Sequence, residues 1–159
     1  NLSQITDINT GTLKTIRRLS MQISARNQIS GTVELIEHGK INAEIFIKLK
    51  SGYTLVSVIT NTAANNLNLE IGDEVVAIFK SSTVLITTDI TLNISARNKF
   101  QGTVDSINQD EINTELVIDI GNNDKIASVI TSSSFERLKI EKGTQVSAII
   151  KASDVIIGK

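Results

Sequence analysis

The sequence predicts an all-β protein: two small five-stranded Greek-key barrels in tandem, each with one short helix, behind a short N-terminal helical linker. Three observations predict it. One half of the chain repeats the other at a fixed offset, and apolar residues within each half recur mostly at every second position. With aromatics at only 3%, Ile, Val and Leu must fill the core. A length of 159 residues, 40% hydrophobic and 21% charged, suits one large or two small globular domains.

Residues 1–20 stand outside the repeat. Leu13, Ile16 and Leu19, with Lys14, Arg17 and Arg18 between them, give a short amphipathic helical pattern, which fits either a terminal helix packed on the first barrel or a linker helix to an upstream domain, the latter being expected here. The first copy then spans 21–88 and the second 92–159. Ile23-Ser24-Ala25-Arg26-Asn27 returns as Ile94-Ser95-Ala96-Arg97-Asn98, and Gly31-Thr32-Val33 as Gly102-Thr103-Val104. Ser57-Val58-Ile59-Thr60 returns as Ser128-Val129-Ile130-Thr131, with about 27 identities over about 64 gapless positions in all. A copy of about 65 residues buries little by itself, so association of copies or subunits is expected.

Within the first copy, Ile41, Ala43, Ile45, Ile47 and Leu49 alternate with polar residues as a half-buried strand, Phe46 being the one apolar residue out of phase. Ser51-Gly52 turns the chain, and Leu55–Thr60, Glu74–Lys80 and Thr83–Ile86 are further β-branched runs. Thr60 opens a short helical segment in one copy and Thr131 in the other, where Ser133 and Glu136 have the spacing of a capping box. Short strands with one helical turn per copy imply barrels of the OB-like type.

Composition closes several chemistries. Without cysteine there is no disulfide, thiolate metal site or thiol nucleophile, and one histidine, His38, cannot build a histidine-rich metal centre. No apolar run approaches the roughly 20 residues that span a bilayer, and the first 20 lack the order of a signal peptide. A soluble, cytoplasmic protein without a membrane partner is expected. Lys+Arg 16 against Asp+Glu 17 leaves a net charge of -1, and few aromatics remain for stacking, which disfavours an OB-type nucleic-acid binder. An enzyme would need a base, yet His38 sits in Glu37-His38-Gly39-Lys40, a predicted hairpin turn with Gln109 as its counterpart. No catalysis is expected.

The informative repeats are polar. Ser24, Arg26, Thr60 and Lys80 in the first copy, and Ser95, Arg97, Thr131 and Lys151 in the second, are all hydrogen-bond donors. Both threonines stand where a strand gives way to a helical turn, whose unpaired N–H groups receive oxyanions. A tetrahedral dianion is the ligand such donors select. Each residue alone also fits a framework role, as a strand-opening turn, helix cap or solvated strand end. Jointly, four donor positions have survived duplication while Lys48 and Asp119, or Tyr53 and Asp124, have diverged.

At these residues the chain resembles a known family. Ser-Ala-Arg-Asn followed by Gly-Thr-Val, Val-Ile-Thr before a short helix, Leu-x-Leu-x-x-Gly and a closing Lys-Ala/Ser-x-x-Val are similar to the Mop domain, the molybdate-binding member of the TOBE group. The resemblance covers residues 21–159 as a di-Mop unit. It implies OB-like barrels with strands exchanged between copies, a homodimer or higher oligomer, and a molybdate or tungstate oxyanion held between subunits. Carried over by position, the ligand set is Ser24, Arg26, Thr60, Lys80 and Ser81 in the first copy, and Ser95, Arg97, Thr131, Ser134 and Lys151 in the second. Ala63, Asn66 and Ala152 depart from the pattern. Such units occur in molbindins that store molybdate and as the C-terminal half of molybdate-responsive transcriptional regulators of the ModE type. The run Arg17-Arg18-Leu19-Ser20-Met21-Gln22-Ile23 is similar to the regulator's interdomain join, which favours the regulator, with DNA reached only through an N-terminal domain outside these residues.

Overall fold

The computed structural model describes residues 23–159, and the predicted linker helix over 1–20 lies outside them. The first series runs β1 (Asn27–His38), β2 (Asn42–Leu49), β3 (Thr54–Thr60), α1 (Asn61–Asn66), β4 (Glu74–Phe79), a 3₁₀ turn (Ser81–Thr83) and β5 (Leu85–Thr87). The second repeats it as β6 (Asn98–Gln109), β7 (Asn113–Gly121), β8 (Asp124–Thr131), α2 (Ser132–Leu138), β9 (Gln145–Ile150), a 3₁₀ turn (Ala152–Asp154) and β10 (Ile156–Gly158).

Neither copy completes a sheet alone. The sheets run β10-β4-β1-β2-β3 and β5-β9-β6-β7-β8, so each takes its fifth strand from the other copy. Ile156, Ile157 and Gly158 pair with Ile78, Ala77 and Val76, and Leu85, Ile86 and Thr87 pair with Ile149, Ala148 and Ser147, all antiparallel. The exchange covers the otherwise open edges of β4 and β9, whose unpaired backbone groups would template aggregation. β10 also packs on β3 and β5 on β8, which curls each sheet towards closure. A register shift after Val33, and its match after Val104, bend β1 and β6 as bulges do.

The bend brings backbones close at Gly31 and Gly102. A Cβ at Gly31 would lie 2.7 Å from the Lys48 carbonyl oxygen, and one at Gly102 would lie 2.5 Å from that of Asp119. Both positions therefore require glycine, which explains why Gly-Thr-Val is repeated.

The alternation holds along β2: Ala43, Ile45, Ile47 and Leu49 are buried, as are Thr114, Leu116, Ile118 and Ile120 of β7. Ile41 departs from it. It precedes β2 and is exposed, and its carbonyl accepts the Asn61 N–H at 2.8 Å, as that of Ile112 accepts the Ser132 N–H at 2.8 Å. Phe46, out of phase, lies on the opposite face with its ring centroid 5.8 Å from the Arg97 guanidinium carbon. The run expected over Thr83–Ile86 starts later, because the 3₁₀ turn extends through Thr83. The capping box is also displaced. The chain stays extended through Thr131, whose hydroxyl caps α2 by accepting the Ser134 N–H, so Ser133 lies inside the helix and Glu136 accepts instead from Gln109.

Buried polar residues stitch the copies together. The Asn27 side chain donates to the Ala127 carbonyl and accepts the Ala127 N–H, both at 2.8 Å, and Asn98 does the same with Val56, both at 2.8 Å. Ser57 donates to the Val155 carbonyl at 2.7 Å and Ser128 to that of Val84 at 2.8 Å. Each bond satisfies a group that would cost about 1–3 kcal/mol if buried without a partner. Apolar side chains of both copies pack into one cluster around this junction.

Candidate functional site

Two cavities flank the junction in matching positions. Pinning of Asn27 sets Ser24-Ala25-Arg26 at the start of β1, beside the end of β4 with which β1 pairs. β4 delivers Lys80, whose carbonyl accepts from the Thr83 N–H and hydroxyl and so tightens the 3₁₀ turn. Ser24, Arg26, Lys80 and Ser81 consequently line one cavity of about 560 Å³, joined by Ser82, Thr83 and, from the other copy, Ser153 and Asp154. Ser95, Arg97, Lys151 and Ala152 line its counterpart of about 440 Å³ with Ser153 and Val58.

Within each cavity the polar groups are mainly donors: hydroxyls, one ammonium and one guanidinium. Asp154 is a carboxylate on the first wall, and the second has none. Both arginines are engaged from across the junction, Arg26 by Glu115 at 2.8 Å and Arg97 by Glu44 at 2.9 Å. The arrangement can hold an anion by hydrogen bonds and charge. Among the described residues, no group of three His, Asp or Glu side chains could hold a metal ion. Thr91 holds the Asp89 carboxyl below the usual carboxylate range and Asp105 raises Lys125, and both groups lie outside the cavities.

Three sequence-predicted residues lie apart from these walls. Thr60 caps α1, accepting the Ala63 N–H at 3.0 Å. Thr131 caps α2, accepting the Ser134 N–H at 3.1 Å and donating to the Ser134 hydroxyl at 2.9 Å. Thr60 and Thr131 are exposed and Ser134 half-buried, and none of the three lines either cavity of its own chain. Sequence reasoning missed Glu44 and Glu115, because it looked only for donors. Their signal was present, since both occupy one repeated position.

The TOBE domain model matches residues 23–86 and 94–157. Over 158 residues, 97% of the chain is 34% identical to 58% of the "Molybdenum transport protein ModE" of Azotobacter vinelandii. Over 146 residues, 91% is 36% identical to 55% of the "Molybdenum-pterin-binding protein MopA" of Rhodobacter capsulatus. The chain thus spans little more than half the length of these curated relatives. A crystal structure of the cytoplasmic molybdate-binding protein ModG, with molybdate bound, superimposes with a TM-score of 0.83 at 40% identity, covering 87% of this chain and 99% of that one.

Proposed function

Because the chain belongs to the TOBE family and carries two such domains in tandem, we propose that it binds molybdate or tungstate reversibly, without catalysis, as the ligand-sensing part of a molybdate-dependent transcriptional regulator. The observation that carries this reading is the matched pair of cavities, each walled by a Ser-Ala-Arg turn and a strand-ending lysine. A tetrahedral dianion meets converging donors there, and hydrogen bonds to charged groups contribute about 1.5–3 kcal/mol each.

A second subunit would complete the sites. Exposed aliphatic residues rim both cavities: Ile23 and Ile156 at the first, Ile94 and Leu85 at the second. A homodimer or larger assembly that buries them would bring the cap hydroxyls of Thr60, Thr131 and Ser134 to a partner's ligand. Closing that interface around a dianion would bias the linker over residues 1–20, and an upstream domain would make the DNA contacts. The match to the Azotobacter ModE extends over 97% of the chain, beyond the TOBE matches that start at residue 23, and a 34% identical ModE of Yersinia pestis, matched over 91% of the chain, is named a transcriptional regulator, which supports the regulator. Coverage of 99% of ModG supports the alternative, a stand-alone molbindin for molybdate storage and homeostasis in the cytoplasm.

Calorimetric titration with molybdate, with sulfate and single-stranded DNA as controls, tests the ligand class. Heat with molybdate alone is expected, and none overturns the reading. Sedimentation tests the assembly, since a stable monomer of full affinity would remove the shared site. Limited proteolysis separates the roles: in a regulator molybdate changes cleavage within residues 1–20, and in a store it does not.

A further inference from the structure

Duplication has kept one acidic residue opposite each arginine. Glu44 on β2 and Glu115 on β7 occupy the same repeated position, although Ala43, Ile45 and Phe46 beside Glu44 have become Thr114, Leu116 and Val117. Glu115 accepts from Arg26 at two points, Nη2 at 2.8 Å and Nε at 3.3 Å. Glu44 accepts from Arg97 Nη1 at 2.9 Å, while the Phe46 ring lies against the same guanidinium. Neither glutamate lines the cavity of the arginine that it holds.

The framework does not need these pairs. Arg26 and Glu115 are 57% and 30% exposed, and ion pairs in such positions contribute little to stability. A need at the cavity explains their retention better. We propose that Glu115 and Glu44 are positioning residues for the two anion cavities, each clamping part of the opposite copy's arginine so that its remaining N–H groups face the ligand. A guanidinium presents five N–H donors in a rigid fork, and Glu115 occupies two of them. Ordering that fork before the ligand arrives removes a conformational cost from binding. Each carboxylate stands outside the lining of the cavity whose arginine it holds, and the positioning role requires that this ordering outweigh its repulsion of the dianion. Each site thereby depends on the folding of both copies. The inference rests on the oxyanion reading above.

A double-mutant cycle tests it. Molybdate is titrated by calorimetry into the full chain and into its Arg26→Ala, Glu115→Ala and doubly substituted variants, with thermal unfolding recorded for each. Glu115→Ala is expected to weaken one class of site about three- to tenfold, with Tm changed by no more than about 2 °C. Once Arg26 is alanine, the same substitution should change nothing further. Glu115→Gln, which keeps one acceptor, should recover part of the loss. An equal loss in both backgrounds, no loss, tighter binding, or a fall in Tm that accounts for the weakening overturns the positioning role. A wild-type chain that takes up no molybdate overturns the functional reading itself, so the two failures are distinguishable.

Discussion

The two copies share a frame and differ where their cavities meet solvent. Asn27 and Asn98, Ser57 and Ser128, and Gly31 and Gly102 are unchanged because burial or close backbone approach leaves no alternative. Around the cavities the copies part: Ser81 matches Ala152, Asp154 lines the first wall alone, and Arg26 is held at two points where Arg97 is held at one. The comparison teaches that repetition by itself does not mark a ligand. Asn27 belongs to the same repeated run as Ser24 and Arg26, yet it is buried and commits its amide to Ala127. Ser24 and Arg26 stay open to a cavity.

Breaking the shared frame should have the largest effect. Asn98→Ala leaves the Val56 N–H and carbonyl without partners in a buried site, so a loss of about 2–4 kcal/mol in stability is expected by urea unfolding. Asn27→Ala should match it, and losses differing by more than about 1.5 kcal/mol would show that the copies depend unequally on the junction. Next come the lysines. Lys80→Met and Lys151→Met should each weaken molybdate binding by about 1.5 to 3 kcal/mol, with little change in Tm because both are exposed. Wild-type affinity in both variants would reduce the lysines to solvated strand ends.

The differences between cavities predict smaller effects. Ser81→Ala should weaken only the first class of site, by about 0.5 to 1.5 kcal/mol, or up to roughly tenfold in affinity. Ser134→Ala should have a comparable effect only if a partner subunit completes a site, because Ser134 lines no cavity of its own chain. An isotherm unchanged by both substitutions would show that neither hydroxyl touches the ligand. Smallest of all, Asp154→Asn should tighten the first class by about two- to threefold, since it removes a like charge from the wall. If affinity does not move, the carboxylate is solvated away from the ligand.

Much of this was legible in the residues. The β2 alternation, the turn at Ser51-Gly52, the two short helices and the pairing of a Ser-Ala-Arg turn with a strand-ending lysine follow from local pattern and from the repeat. The exposure of Ile41 was not legible, because alternation does not say where a strand begins. Nor was the loss of the capping box of Ser133 and Glu136, since overlapping serine and threonine spacings compete and the extended backbone at Thr131 makes that residue the cap and leaves Ser133 inside the helix.

By itself, then, the sequence determined two copies of one β-rich module, their donors and the absence of thiol chemistry, all properties carried by neighbours along the chain. The tertiary structure decided which copy supplies each partner. Asn27 meets Ala127, 100 residues away, Arg26 meets Glu115, 89 away, and β10 completes the first copy's sheet. Either copy offers the same strand edge and the same glutamate, so local preference is equal for both choices. What local pattern leaves open, long-range contacts fix: β10 pairs with β4 and β5 with β9 in the same arrangement in which the buried amides of Asn27 and Asn98 are satisfied by Ala127 and Val56 of the opposite copy.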